Sequence, residues 1–382
     1  MKEDKIYFAN LDSIRFIAAM MVFLQHGFRQ AFDHLPIKNS FADKFLTLIS
    51  TGGTGVSIFF VLSGFLITYL LISEHELSSG INLKNFYIRR ILRIWPLYFA
   101  VVFFAFILYP GIKIILGVNT PASSNIFYHL VFLSNFDALN VEKYFPGHEV
   151  LSQNINWSVS IEEQFYLFWP LIFTFLPRKQ WMKAIVLAIA GSLTFRIFHS
   201  TDKLTLYFHT FSVLIDLGIG GLFALIVKNN SGARTFFENT GSKLHLLFFS
   251  IAFILLYFEE AIFNYEYIGA SSRLFISTTF ALIITSQALS KSDSIMNLKN
   301  LSFASKWGKY TYGIYLLHPI VINMVDVLFR LAHIPKSNFV LTFIFGIISF
   351  ILTLLLSKWS YIYFESKFLN MKERFTMIKT HE

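Results

Sequence analysis

Apolar stretches close to twenty residues long recur from one end of the chain to the other, broken by short polar and basic segments. The runs at 11–28, 53–72, 94–110, 157–176, 182–200, 204–227, 244–262, 269–289, 311–330 and 339–357 each have the length a helix needs to cross about 30 Å of hydrocarbon. The pattern predicts an all-α integral membrane protein with about ten transmembrane helices. A further segment, "NIFYHLVFLSNF" (125–136), is apolar but too short to cross unaided. Charge decides how to count it, because basic residues collect in loops that face the cytoplasm. Left out of the count, ten helices place both termini in the cytoplasm. The loops carrying Lys84, Arg89, Arg90 and Arg93, then Arg178, Lys179 and Lys183, then Lys228, Arg234 and Lys243, then Lys291, Lys299, Lys306 and Lys309 fall on that side too. Counted as a span, the segment would send the later basic loops outside.

Composition agrees with this reading. The chain of 382 residues is 55% hydrophobic and 14% charged, with mean hydropathy +0.57, whereas a soluble domain carries roughly a quarter charged residues. No polar stretch is long enough for a second domain, so residues 1–382 read as a single membrane domain. Its spans cover about 11–357, and 358–382 form a basic cytoplasmic tail. The net charge of +9 follows membrane topology, so no nucleic-acid partner is expected. The absence of cysteine excludes disulfides, thiolate catalysis and cysteine metal sites. Lys2 and Lys5 precede the first apolar run as in a signal peptide, but "HGFRQAFDH" after it lacks a small-x-small cleavage site, and a retained first span is expected.

Ionisable groups inside such spans are functional suspects, because a charge in hydrocarbon needs a partner or a proton. In "RFIAAMMVFLQH" (15–26), Arg15 and His26 are eleven residues apart. That spacing is three helical turns plus about 20°, so the two share one face, about 16 Å apart along the axis. A snorkelling arginine and an interfacial histidine would explain the pair equally well. In "NFYIRRILRIWPLYF" (85–99), Arg90 and Arg93 share a face at the cytoplasmic mouth of the third span. Topology alone places basic residues there, yet a guanidinium fork also matches phosphate geometry. In "NWSVSIEEQFYLFWPLI" (156–172), Ser158, Glu162, Tyr166 and Trp169 form a polar stripe. Glu162 needs a partner, and Glu163 points elsewhere, toward the headgroups. In "YTYGIYLLHPIVI" (310–322), Thr311, Tyr315 and His318 form a second stripe ahead of Pro319, with His318 either a packed core residue or a catalytic one. Ser63 in "FFVLSGFLI" reads first as close helix packing and second as a site residue. Arg196 also lies within a span.

No G-x-S-x-G elbow, P-loop, H-E-x-x-H or C-x-x-C is present. The motifs "LDSIRFIAAMMVFLQH", "GVSIFFVLSGFLI", "RRILRIWPLYF", "WSVSIEEQFYLFWPL", "YGIYLLHP" and "YFESKF" follow one another in order from residue 11 to about 368. Taken together they give a chain that resembles the membrane acyltransferase-3 family, which moves acyl groups from acyl-coenzyme A onto bacterial surface carbohydrates. The external region 111–150 carries no match. The resemblance implies an O-acyltransferase, with acetyl the usual group, of the bacterial cytoplasmic membrane. It implies cytoplasmic acyl-CoA (acetyl-CoA) as donor, no metal, and a glycan or glycolipid hydroxyl as acceptor. It implies that His26 is the essential base or acyl carrier, that Arg15 is its paired arginine, and that Glu162 is the glutamate of the W-S-x-S-x-E motif. Arg90 and Arg93 correspond to the R-x-x-R associated with the donor. Ser63, Tyr315 and His318 stand as further candidates. Many relatives append an extracytoplasmic SGNH-type esterase domain. This chain has no counterpart, so a separate acyl-transfer protein is an expected partner besides membrane lipids.

Two other classes fit some of the same residues. A secondary transporter would use Arg15, His26 and Glu162 as a proton or anion relay, although no internal repeat is visible. A polyprenyl-linked glycosyltransferase would be expected to carry acidic residues in its first external loop, where this chain offers only Asp33 and Asp43.

Overall fold

The structure, a computed structural model, describes residues 8–29, 52–115, 124–144, 155–335 and 339–376. Lys2, Lys5, Asp33, Asp43, residues 116–123 and 145–154 of the 111–156 region, and residues 377–382 of the tail lie outside that set. Among the described residues the secondary structure is helical throughout, and each of the ten apolar runs falls on a helix. Helix α1 (Ala9–Leu24) continues into a π-helical turn, Gln25–Arg29. Next come α2 (Gly52–Ser78), α3 (Leu83–Phe103), α4 (Ile126–Leu130), α5 (Ser134–Tyr144) and α6 (Asn156–Phe175). They are followed by α7 (Arg178–Phe198), α8 (Thr210–Asn229), α9 (Ser242–Tyr257), α10 (Glu266–Leu289), α11 (Thr311–Leu331) and α12 (Phe339–Ser360). A short helix, α13 (Ser366–Lys372), follows near the end of the described chain.

Among the described residues, seven helical segments are long and apolar enough to cross a membrane, or eight if the pair Ser231–Glu238 and Ser242–Tyr257, bent by 94°, counts as one span. Two of the ten expected spans fall outside that group. Helix α1 has 16 residues before its π turn, and α6 interrupts its apolar sequence with Glu162, Glu163 and Gln164. The segment 125–136 forms no span: α4 has 5 residues and α5 has 11. The two pack on α3 and α6, where Tyr98 donates to the His129 carbonyl at 2.9 Å, Gln164 donates to the Phe132 carbonyl at 2.8 Å, and Ser134 meets Ser160 at 2.7 Å.

The tightest packing joins α2 to α8. A Cβ on Gly64 would stand 1.9 Å from the Leu217 carbonyl oxygen, and one on Gly220 would stand 2.0 Å from that of Val61. Backbone meets backbone there, as small residues allow between membrane helices. In the Ser63–Gly64 pair, the packing belongs to the glycine. We therefore expect Gly220→Val to lower stability by about 1–3 kcal/mol or more through overpacking, seen as a lower melting temperature in detergent. An unchanged transition would show that the helices can separate at no cost.

Arg196 has a structural explanation. Its Nε donates to the Ala270 carbonyl at 2.6 Å and its Nη1 to Ser212 Oγ at 2.7 Å. Nearby, Arg273 pairs with the fully buried Asp216 at 3.1 Å, and Ser277 donates to the same carboxylate at 2.6 Å. These bonds tie α7, α8 and α10 together with each charge matched to polar neighbours.

The basic tail is more than a tail. After α12 the chain makes a π-helical turn at Tyr361–Glu365, then α13, then a 3-10 turn at Glu373–Phe375, and it packs back against α3. Arg89 Nη1 holds its end, donating to the Phe375 carbonyl at 2.8 Å.

Candidate active site

A cavity of about 240 Å³ lies between α1, α2, α3, α6, α11 and the C-terminal segment. Asn82 starts α3 by accepting the Asn85 N–H at 2.9 Å, an N-cap that carries the helix through Arg89, Arg90 and Arg93. Six cations line the cavity: Arg15, Arg89, Arg90, Arg93, Lys309 and Lys372. Four carboxylates, those of Asp12, Glu74, Glu162 and Glu365, answer them. Arg15 bonds Asp12 at 2.6 Å, and Arg89 bonds Glu74 at 2.8 Å. The Arg90 guanidinium lies 5.7 Å from the ring centres of both Phe86 and Tyr166, and its Nε is buried with no hydrogen-bond partner. Glu162 lines the same cavity as Arg90 and Arg93. Ser63 shares a hydrogen bond with the Tyr166 hydroxyl. Away from the charges the walls turn apolar, with Val56, Phe59 and Phe60 leading to Tyr315.

His26 and His318 do not line this cavity; they meet beyond Tyr315. His26 Nδ1 lies 2.9 Å from His318 Nε2, with the rings 10° from parallel. Tyr315 lines the cavity with one side and meets the His318 ring edge-on at 6.1 Å. Its hydroxyl is hydrogen-bonded to Ser158 Oγ at 2.7 Å.

The hydrogen bonds order the protons on this pair. His318 Nδ1 lies 3.1 Å from the Ile314 carbonyl, and a carbonyl only accepts, so Nδ1 carries the hydrogen. In the neutral pair His318 Nε2 is then an acceptor, His26 Nδ1 donates to it, and the His26 lone pair sits on Nε2. Local sequence supports both rings. Pro319 has no N–H to offer the Tyr315 carbonyl, which loosens the turn against which His318 is held. His26 stands in the π-helical turn that ends the first helix, a distortion that recurs at functional sites.

Arg15, Arg90, Arg93, Glu162, Ser63 and Tyr315 thus come together in one cavity, and His26 and His318 come together at its apolar end. A family model described as an acyltransferase domain matches residues 8–358. The chain belongs to this acyltransferase-3 family. Among its relatives, the O-acetyltransferase OatA of Staphylococcus aureus is 29% identical over 332 residues, which cover 83% of this chain and 53% of OatA. The putative peptidoglycan O-acetyltransferase YrhL of Bacillus subtilis is 28% identical over 291 residues, covering 72% of this chain and 45% of YrhL. The chain spans about half the length of these relatives. No solved structure matches it. Membership of an acyltransferase family, with several membrane-crossing helices, gives the transporter and glycosyltransferase readings no support.

One reading of an individual residue changes. Glu163 does not face headgroups: Trp95 Nε1 donates to its carboxylate at 2.8 Å, and its other oxygen is buried without a partner. Several lining residues were not among the site candidates read from the sequence, namely Arg89, Glu74, Lys309, Glu365 and Lys372. The last two had a signal. Glu365, Leu369, Lys372 and Thr376 are spaced i, i+4, i+7 and i+11, and all four line the cavity.

Proposed function

We propose that the protein is a multi-pass O-acetyltransferase of the bacterial cytoplasmic membrane, with ten spans, one membrane domain and both termini in the cytoplasm. It takes an acyl group from acyl-CoA on the cytoplasmic side and delivers it to a hydroxyl of a cell-surface carbohydrate or glycolipid. The observation that carries this reading is the hydrogen-bond order that leaves a lone pair on His26 Nε2 beyond the apolar end of a cation-rich cavity. Coenzyme A has the complementary form, a polyanionic nucleotide and a long uncharged arm ending in the thioester. The positive-inside count supports placing Arg90 and Arg93 toward the cytoplasm and His26 toward the outer leaflet. The name of YrhL makes a peptidoglycan-type glycan the first acceptor to try.

Two routes use the same residues. In direct transfer, His26 Nε2 takes the proton of the acceptor hydroxyl as its oxygen attacks the thioester carbon. The C–S bond then breaks, and the imidazolium gives the proton to the departing thiolate. In the covalent route Nε2 attacks the carbon itself, and the thiolate leaves. His318 Nε2 accepts the Nδ1 proton, and the neutral acyl-imidazole passes its acyl group to the hydroxyl. The hydroxyl proton goes to the thiolate, and His26 recovers its Nδ1 proton from His318. Arg15 holds the donor or stabilises the oxyanion, while Glu162 fixes Arg90 and Arg93.

Purified protein in lipid vesicles, given radiolabelled acetyl-CoA and glycan acceptor, should release coenzyme A and transfer label to the glycan. Solute uptake without coenzyme A release, or no release from a panel of acyl-CoA donors, would refute the reading.

A further inference from the structure

Lys372 lies beyond the residues that the family match covers, yet it sits in the cavity with the arginines that the match does cover. We infer that Lys372, brought in by the C-terminal segment, binds the diphosphate of the acyl donor. This rests on the acyl-CoA reading above and adds a residue to it.

Lysines of a terminal segment ordinarily keep their ammonium groups in water. Lys372 is instead only 8% exposed. The segment is built to put it there. Glu365, Leu369, Lys372 and Thr376 share the face that lines the cavity. Beyond that face, Arg89 fastens the Phe375 carbonyl at 2.8 Å while its other nitrogen holds Glu74 at 2.8 Å, so the tail is tied to α2 through α3.

Lys372 lines the same cavity as Arg15, Arg90 and Arg93. Four cations from three separate parts of the chain therefore converge on one buried space. Asp12, bonded to Arg15 at 2.6 Å, and Glu162 and Glu365, which line the same cavity, offset part of this charge. Concentrating like charges away from water is unfavourable, and a ligand with two adjoining phosphates relieves it. The diphosphate is favoured over the ribose phosphate because of reach. Arg15 stands about 16 Å below His26 along the first helix, a span that an extended pantetheine arm bridges. A diphosphate at Arg15, Arg90, Arg93 and Lys372 therefore puts the thioester near the histidines.

The test compares wild type, Lys372→Gln and Lys372→Arg, all full-length in lipid vesicles with melting temperatures checked. Three donors are used: acetyl-CoA, acetyl-dephospho-CoA and S-acetylpantetheine. Lys372→Gln should raise KM for the first two by about tenfold, the effect of one charged hydrogen bond, with kcat nearly constant. It should leave turnover of phosphate-free S-acetylpantetheine at the wild-type value, and Lys372→Arg should restore most of the affinity. An equal penalty on S-acetylpantetheine would make Lys372 a packing residue, and no penalty on acetyl-CoA would remove it from the site. A penalty that vanishes with acetyl-dephospho-CoA would overturn the diphosphate assignment in favour of the ribose phosphate. Failure of the wild type to bind coenzyme A or turn over any of the three donors would instead bring down the acyl-CoA reading, and this inference with it.

Discussion

His26→Ala should cut acetyl-CoA turnover by about 10³-fold, within the range set by removing a positioned general base and equivalent to about 4 kcal/mol in the barrier. The expectation follows from the proton order of the histidine pair. With His318 Nδ1 bonded to the Ile314 carbonyl and His26 Nδ1 bonded to His318 Nε2, the basic nitrogen is His26 Nε2. Both proposed routes pass through that atom, as base or as acyl carrier. His318 cannot substitute, since its ring is 1% exposed and does not line the cavity. The substitution should leave the fold intact, because His26 is half-buried and its side-chain hydrogen bond is to His318. Coenzyme A release by wild type and variant, compared at matched melting temperature and membrane insertion, checks it. Turnover near the wild-type rate in a folded His26→Ala protein would remove His26 from the chemistry.

The membrane helices were legible in the sequence because hydrocarbon imposes a length and a composition at once. Each apolar run marks a helix for that reason. Helix ends were less legible, since they are set by hydrogen bonds rather than by hydropathy. The run at 94–110 gives no hint that α3 begins at Leu83, where the Asn82 side chain supplies the cap. Site residues followed the same division. Arg15, Arg90, Arg93 and Glu162 stood out as charges within or beside apolar runs, and all four line the cavity. Arg89, Glu74, Lys309 and Lys372 looked like ordinary loop or tail charges, since their roles depend on segments far apart in the chain. The Arg89–Glu74 pair crosses between two helices, and Lys372 reaches the cavity only because the tail folds back. His318 was ambiguous for a related reason. A histidine on an apolar stripe reads the same whether it is packed or poised, and the partner that distinguishes the two is 292 positions away.

His318→Leu should lower turnover by about 10²-fold, whereas His318→Gln should stay within about tenfold of wild type. Leucine fills much of the same volume but offers nothing to the His26 Nδ1–H. That hydrogen would lose its acceptor in a site closed by Phe23, which meets the His318 ring at 6.1 Å, and by Tyr315. The imidazole could then turn or exchange tautomers, and the Nε2 lone pair would no longer be fixed toward the donor. Any positive charge formed on His26 during transfer would also lose the neighbour that stabilises it. Glutamine is a better test than alanine, because its carbonyl oxygen can stand near the position of Nε2 and accept the same hydrogen. A purely structural His318 predicts a different pattern. Leucine would then be tolerated in this apolar setting, and glutamine, with an amide N–H to satisfy, would be the more damaging change. Turnover and melting temperature measured together for both variants distinguish these cases. Activity that follows the acceptor rather than the stability makes His318 the positioning residue of the pair. Activity that falls in step with melting temperature in both variants makes it a core residue, and His26 would then have to hold its own orientation.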